Sequence, residues 1–169
     1  MSELVRRLAR YRVRLGFVAA VFALWLASPT VRSLAAGAVI AAVGEGLRIW
    51  AAGHLEKGRE VTASGPYRLT RHPLYLGSAL IALGFAVASA SLPATVLVLA
   101  YLTLTYGAAI SSEEAHLTQK FGAAYPEYKE GRSTAAERRF SVERAIKNRE
   151  YRAAAGLLLA LALLAWKVL

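Results

Sequence analysis

The stretch Ser64–Gly77 contains residues that can do chemistry, because an arginine and a histidine stand at the start of a long apolar segment. Arg71 and His72 precede Pro73, and no charged residue follows until Glu113. Proline suits the first turn of a helix, where its missing N–H costs nothing. The unpaired N–H groups of that turn, together with Arg71, can bind a carboxylate or phosphate. The pattern indicates an anion site at a membrane surface, although the two basic residues can equally anchor a helix to lipid phosphates.

A second polar cluster, Glu113 and Glu114, ends the apolar segment that begins at Pro73. Residues 73–112 would form roughly 60 Å of helix, which is two crossings of a bilayer core about 30 Å thick. Two crossings return the chain to the same side, so we expect the glutamates to meet the Arg71–His72 pair. Adjacent helical residues point about 100° apart, so one of the two glutamates should face solvent. A carboxylate can accept both hydrogen bonds of a ribose diol, so Glu113 can bind a nucleotide. The alternative is that the glutamates simply form a solvent-exposed helix face.

Glu45 and Arg48 are ionisable residues inside the otherwise apolar stretch 33–53. They lie three residues apart, so on a helix they share a face and can neutralise each other. A structural ion pair is therefore the simpler interpretation. An ionisable residue inside a membrane is nevertheless a functional candidate, and Arg48 is placed to face an acidic substrate group. We keep Arg48 and Arg71 as candidate catalytic residues.

The composition indicates a membrane protein, because 56% of the 169 residues are hydrophobic and 19% are charged. That length suffices for roughly four to six crossings. We expect about five transmembrane helices in one all-α bundle. The apolar stretches are 15–31, 33–53, two helices within 73–112 that are separated by a turn at 89–93, and a short last one at 153–166.

Charge placement predicts the orientation of the chain. All of the 21 Lys and Arg residues except Arg32 and Lys167 fall on one side if the N-terminus is cytoplasmic, as the positive-inside rule requires. We expect that the first helix is retained and that the chain is an integral protein of the cell inner membrane. The net charge of +10 then reflects cytoplasmic loops facing membrane lipids and requires no nucleic-acid partner.

A metal site is not expected from this sequence. There is no cysteine, which excludes disulfides and Cys-based metal sites. The histidines His54, His72 and His116 also lack the spacing of a metal-binding helix. Phe121, Tyr125 and Tyr128 form an aromatic stripe at spacings of four and three, which suits either interfacial packing or the wall of a cofactor site.

The polar clusters together resemble the isoprenylcysteine carboxyl methyltransferase family and the related phospholipid N-methyltransferases over about residues 37–130. The resemblance implies an integral membrane methyltransferase that binds S-adenosylmethionine on the cytoplasmic side. Its acceptor would be a lipophilic small molecule or lipid that presents a carboxylate, a thiol or an amine. The chain would be one domain, 1–169, with a basic segment and a last apolar helix in 131–169. The motifs are Gly44-Glu45-x-x-Arg48, Gly65-x-Tyr67, Arg71-His72-Pro73-x-Tyr75-x-Gly77, Glu113-Glu114 and Phe121-Gly122-x-x-Tyr125-x-x-Tyr128.

The resemblance also implies the cofactor-binding residues, and one departure concerns the acceptor. Eukaryotic members have a substrate-binding arginine four residues before the first glutamate, where this chain has Ala109. An NADPH-dependent membrane reductase of similar helical arrangement and a noncatalytic membrane protein stay as alternatives. The implied cofactor contacts are His54, Val61, Thr62, Tyr67, His72, Pro73, Leu74, Tyr75 and Glu113.

Overall fold

The computed structural model describes residues 3–132 and 137–169, and all regular structure in these two ranges is helical. Residues 133–136 of the basic segment lie outside the described residues. A short 3-10 turn, Gly65–Arg68, lies between the second and third helices. The helices are α1 (Glu3–Leu26), α2 (Val31–His54), α3 (Pro73–Ser89), α4 (Leu92–Phe121), α5 (Ala124–Lys129), α6 (Val142–Lys147) and α7 (Glu150–Trp166).

The first apolar stretch is shorter than the expected 15–31, because α1 ends at Leu26 and Val31 already belongs to α2. Pro29 disfavours helical backbone in the residue before it. Thr30 then caps α2 reciprocally: its Oγ1 accepts from the Ser33 N–H at 3.1 Å, and the Ser33 Oγ accepts from the Thr30 N–H at 2.9 Å. This capping box starts a new helix within the apolar run.

The turn expected at 89–93 is confirmed, because α3 ends at Ser89 and α4 begins at Leu92. The Ser91 Oγ caps α4 by accepting from the Ala94 N–H at 3.4 Å, and Pro93 lies in the first turn. The 30 residues of α4 span about 45 Å, which exceeds a bilayer core. Its charged final turns therefore extend past the apolar part.

Helices α2 and α3 pack through small residues that let their backbones approach closely. A Cβ at Gly84 would lie 2.6 Å from the Ala41 nitrogen, and a Cβ at Gly44 would lie 2.6 Å from the Gly77 oxygen. Such small-residue contacts are typical of membrane helix pairs, where close packing replaces the hydrophobic effect as the source of stability. At the Gly77 end, the same closeness lets the Arg48 side chain lie across α3, because a Cβ there would be 2.5 Å from the Arg48 Cγ.

The other long helices close around this pair. α1 packs on α4, and α7 contacts α1, α2 and α3. The Lys167 Nζ, just past the end of α7, donates to the carbonyl oxygens of Leu24 and Trp25 at 2.9 and 3.0 Å. A cation at these carbonyls favours the C-terminal end of α1. The chain therefore runs up and down, with the ends of α2 and α4 and the starts of α3 and α7 on one side.

Among the residues that the structure describes, two helices, α2 and α4, are long and apolar enough to cross a membrane. Shorter apolar helices are Val13–Leu26 within α1 and Pro73–Ser89. The all-helical class is confirmed in the described residues, whereas the count of five crossings stays a prediction.

Candidate functional site

The two polar clusters meet beside the start of α3. The His72 Nε2 lies 3.1 Å from the Glu114 Oε1, although the two residues are 42 positions apart. The Lys129 Nζ donates to the Glu114 Oε2 at 2.7 Å, and an Arg71 Nη1 lies 4.0 Å from the Glu114 Oε1. The convergence expected from the transmembrane hairpin is therefore confirmed. Two cations face one carboxylate, so the cluster carries a net positive charge even with neutral His72.

The neighbouring glutamates differ in their surroundings. The Glu114 side chain is 22% exposed within the cluster, whereas Glu113 is exposed to solvent. The Glu113 carboxylate nonetheless affects the pKa of the Tyr67 hydroxyl. Burial raises the pKa of Tyr67 most, and the negative charges of Glu113 and Glu150 raise it further. The Tyr67 hydroxyl therefore stays protonated at neutral pH.

Tyr67 lines a polar surface pocket of about 760 Å³, within the usual range of about 300–1,000 Å³ for ligand sites. The Tyr128 hydroxyl donates to the Tyr67 carbonyl oxygen at 2.6 Å and so ties α5 to the 3-10 turn. Burial raises the pKa of Tyr128 to about 12. The pocket is lined by Ala63, Tyr67, Arg68, Leu69, Thr70, Arg71, Tyr128, Lys129, Gly131 and Glu137.

His54 is buried at the end of α2 and does not line this pocket. Its Nδ1 lies 3.1 Å from the Ser64 Oγ, and its ring centroid lies 6.4 Å from that of Phe140. Gly65 has φ +58°, and a Cβ there would lie 2.6 Å from the His54 ring. Both facts require glycine at this position.

Val61 and Thr62 are buried in the loop that follows α2. The Thr62 Oγ1 accepts from the Glu56 N–H at 3.2 Å, which folds the loop back on itself. Pro73 is buried at the first turn of α3, as expected from its position. Of the nine predicted cofactor residues, Tyr67 lines the polar pocket and the other eight do not.

Arg48 lies across the first turns of α3 and is engaged on several sides. Its Nε donates to the Glu150 Oε1 at 2.6 Å, and its Nη1 donates to the Leu74 carbonyl oxygen at 3.5 Å and to the Ser78 Oγ. The expected partner Glu45 lies 3.8 Å from the Arg48 Nε. Both Glu45 carboxylate oxygens are buried and accept no hydrogen bond in the described part of the chain. Two buried carboxylates thus flank one guanidinium.

An apolar pocket of about 360 Å³ begins at Arg48 and runs between α1, α3, α4 and α7. Its polar lining groups include Arg48, Ser78 and Tyr106. Ala153, Gly156, Leu157 and Ala160 of α7 form one wall. The pocket therefore suits an apolar chain with a polar head placed toward Arg48.

A line of aromatic rings connects the polar cluster with the apolar pocket. The His72 and Tyr75 ring centroids lie 6.0 Å apart, and the Tyr75 and Tyr106 centroids lie 5.5 Å apart, both pairs edge to face. Tyr106 lines the apolar pocket. Such edge-to-face pairs fix ring orientation and exclude water. The row of rings therefore runs from the cluster that contains the polar-pocket residues Arg71 and Lys129 to a residue of the apolar pocket.

The fold and the site define a helical membrane protein in which a polar pocket at the helix ends adjoins an apolar pocket between the helices. Residues 11–124 match the phospholipid methyltransferase family, which is about two thirds of the chain. The chain belongs to this family. Membership indicates a methyltransferase, and such enzymes generally use S-adenosylmethionine. The family and the two apolar helices indicate a membrane protein.

One curated relative is the cobalt-zinc-cadmium resistance protein CzcN of Cupriavidus metallidurans. It is 35% identical to this chain over 96 residues, which are 56% of this chain. The matched part is 41% of the relative, so the chain spans less than half of that protein's length. No solved structure matches this chain. Within residues 3–132 and 137–169, no group of three His, Cys, Asp or Glu side chains is placed to hold a metal ion.

Several contacts of the site do not follow from the sequence patterns. Glu114 rather than Glu113 contacts His72, and Lys129 completes that cluster. Glu150 is the nearest acidic partner of Arg48. An arginine within an apolar helix requires a countercharge. The sequence therefore indicates that Arg48 has an acidic partner but not which residue that partner is. Ala109 is 2% exposed within α4, so the position of the family's substrate arginine is buried here.

Proposed function

We propose that this chain transfers a methyl group from S-adenosylmethionine to a lipophilic acceptor at the cytoplasmic face of the inner membrane, with the N-terminus in the cytoplasm. The observation that carries the proposal is a pair of pockets of opposite character, one lined by residues just before α3 and the other by residues of α3 itself. A membrane methyltransferase needs both, because its cofactor is a polar nucleotide and its acceptor arrives from the bilayer. Membership of the phospholipid methyltransferase family supports the reaction type.

The polar pocket fits the charges of the cofactor. S-adenosylmethionine would supply an electrophilic methyl group for in-line displacement by a lone pair of the acceptor. Arg71 and Lys129 provide positive charge for a carboxylate beside the N–H groups at the start of α3. The Tyr67 ring offers cation–π attraction of about 0.5–2 kcal/mol to a sulfonium. The exposed Glu113 carboxylate, near Tyr67, is the proposed ribose acceptor.

The remaining predicted residues have supporting roles in this proposal. His54, Val61 and Thr62 are buried and do not line the polar pocket, so their proposed role is to hold the backbone next to it. Tyr75 continues the row of rings from His72, and the Leu74 carbonyl oxygen holds Arg48. The apolar pocket keeps water from the acceptor, which favours displacement by an acceptor carboxylate, thiolate or amine.

Calorimetric titration of the purified protein in detergent tests the cofactor site. We expect micromolar binding of S-adenosylmethionine, weakened at least about tenfold in His72→Ala because the Glu114 cluster loses its partner. His116→Ala is the matched control, since His116 is exposed on α4. Equal affinity in wild type and His72→Ala would contradict the site assignment.

The same titration with NADPH separates the reductase alternative. Sterol-type reductases place a nucleotide with a 2′-phosphate at a similar face, so NADPH binding without S-adenosylmethionine binding would overturn the proposed reaction. Incubation of membranes with methyl-labelled cofactor then identifies the acceptor. Label in an extractable lipid or small-molecule fraction supports the proposal, whereas label confined to protein contradicts it.

A further inference from the structure

Glu150 has no role in the functions considered above, yet it is one of the most buried charged residues in the described part of the chain. It is 5% exposed, and its Oε1 accepts from the Arg48 Nε at 2.6 Å. It lies at the start of α7, outside the residues 11–124 that match the family. The family match therefore assigns it nothing.

The place of this ion pair is the polar end of the apolar pocket. Arg48 is the one charged residue among the described residues that line that pocket. Its Nε and Nη1 are held by Glu150, Leu74 and Ser78, and Glu45 lies 3.8 Å away. Without Glu150, a guanidinium at the end of an apolar pocket would be a natural partner for an anionic headgroup.

The charge balance points to the opposite selectivity. Glu45 is 7% exposed and Glu150 is 5% exposed, so two buried carboxylates surround one guanidinium. An anionic head beside Arg48 would meet the Glu150 carboxylate that already holds the guanidinium, and like charges in a buried site repel. A cationic or neutral head meets no such penalty.

We propose that Glu150 determines the charge selectivity of the acceptor pocket: by occupying Arg48, it makes the pocket accept lipophiles with a cationic or neutral head and reject those with an anionic head. The inference rests on the proposed function only in taking the apolar pocket as the acceptor site. It adds a specificity-determining residue from the last helix.

Competition binding without any cofactor tests this inference. The purified protein is placed in nanodiscs of zwitterionic lipid and titrated with tritiated dodecylamine. Empty nanodiscs give the background. Unlabelled dodecylamine, dodecanol and dodecanesulfonate compete; the sulfonate stays anionic at a bilayer surface. We expect the amine to compete at least about tenfold better than the sulfonate in the wild type. Equal competition by the two in the wild type overturns the proposal, whatever the variants do.

Glu150→Gln removes the charge but keeps a hydrogen-bond acceptor. Glu45 stays 3.8 Å from the Arg48 Nε, so the guanidinium keeps an acidic neighbour in this variant. We expect the amine-to-sulfonate ratio to fall at least about tenfold in this variant, since Arg48 becomes available to an anion. Glu150→Asp keeps the charge and should keep the preference for the amine. Glu143→Gln, an exposed glutamate of α6, is the matched control. An unchanged ratio in Glu150→Gln overturns the proposal.

Failure of this test and failure of the proposed function are distinguishable. Headgroup selectivity is measured without S-adenosylmethionine, and cofactor binding is measured without an acceptor. Loss of selectivity with intact cofactor binding refutes the role of Glu150 alone. Intact selectivity without cofactor binding refutes the proposed reaction alone.

Discussion

Glu113 and Glu114 differ in surroundings because a helix turns by about 100° per residue. Glu114 faces inward and is held by Lys129 and His72, while Glu113 faces solvent on the side of Tyr67. The sequence predicts that one glutamate of the pair faces solvent, which is confirmed, but it does not predict that the exposed one is Glu113. Which of the two faces His72 depends on the rotation of α4 about its axis, which packing against α1 and α3 determines.

Single glutamine variants of the two glutamates should separate stability from cofactor binding. Glu114→Gln removes the charge that binds Lys129 and His72, so we expect the free energy of unfolding to fall by about 1–2 kcal/mol. Glu113→Gln has no such contact and should unfold like the wild type, but it should bind S-adenosylmethionine more weakly. Thermal unfolding in detergent and calorimetry measure the two effects. A stability loss in Glu113→Gln that matches Glu114→Gln would contradict the assignment of inner and outer faces.

Helix α2 meets α3 along a line of small residues, and this contact places Arg48 over the start of α3. The sequence predicts both helices and the turn after α3, because these depend on apolar runs and on local caps. It does not predict the contact itself, since Gly44, Gly77 and Gly84 are indistinguishable in sequence from glycines that face open space. Gly46 lies in α2, as Gly44 does, and Gly107 lies in α4. A Cβ added at either position would meet no neighbour within 4 Å.

Alanine at Gly84 and at Gly46 should have opposite effects on stability. The new Cβ at Gly84 would lie 2.6 Å from backbone atoms of Gly37 and Ala41, so we expect a loss of about 1–3 kcal/mol from overpacking. Gly46→Ala meets nothing and should be neutral or stabilising by up to about 1 kcal/mol through helix propensity. Unfolding temperatures of the two variants in one detergent provide the comparison. If Gly84→Ala were as stable as Gly46→Ala, the close approach of α2 and α3 would be wrong.

The family match ends at residue 124, but the described C-terminal residues, 137–169, also contact the site region. The Arg144 Nε donates to the Gly53 carbonyl oxygen at 2.8 Å, and the Asn148 Nδ2 donates to the Ala52 and Leu55 carbonyl oxygens at 2.9 Å each. These donors satisfy carbonyls that a helix end leaves unpaired. The segment thereby holds the end of α2 that bears His54.

These contacts join residues more than 90 positions apart, and no local pattern predicts them. The sequence shows an excess of basic residues after Tyr128, which by itself fits lipid headgroups equally well. What decides the outcome is tertiary packing: Phe140 stacks near His54, and its segment then lies along the loop after α2. The site is therefore predictable where it depends on helix starts and a hairpin, and unpredictable where the last segment closes it.

The attachment of this segment to the loop after α2 should depend on pH through Glu60. Arg138 binds both Glu60 carboxylate oxygens, with its Nε at 2.7 Å from one and an Nη2 at 2.8 Å from the other. The hydrogen bond from Arg138 holds the pKa of Glu60 below its ordinary value of 4.5. A lowered folded-state pKa means that the stabilisation is present above the ordinary pKa and is lost as the pH falls through the folded-state pKa.

We therefore expect the protection factors for amide hydrogen exchange in 138–148 and 56–62 to be high at neutral pH and to fall as the pH drops below 4.5 and through the folded-state pKa of Glu60. Glu60→Gln should have protection factors a few-fold lower at neutral pH, because the bidentate pair near the surface is lost, and a flatter pH dependence. Glu127→Gln, an exposed glutamate of α5, controls for loss of a carboxylate elsewhere. Because other carboxylates also titrate in acid, the decisive quantity is the difference between wild type and Glu60→Gln, which should vanish below the folded-state pKa. A difference that persists unchanged into acid would mean that the Arg138 pair does not hold the segment in place.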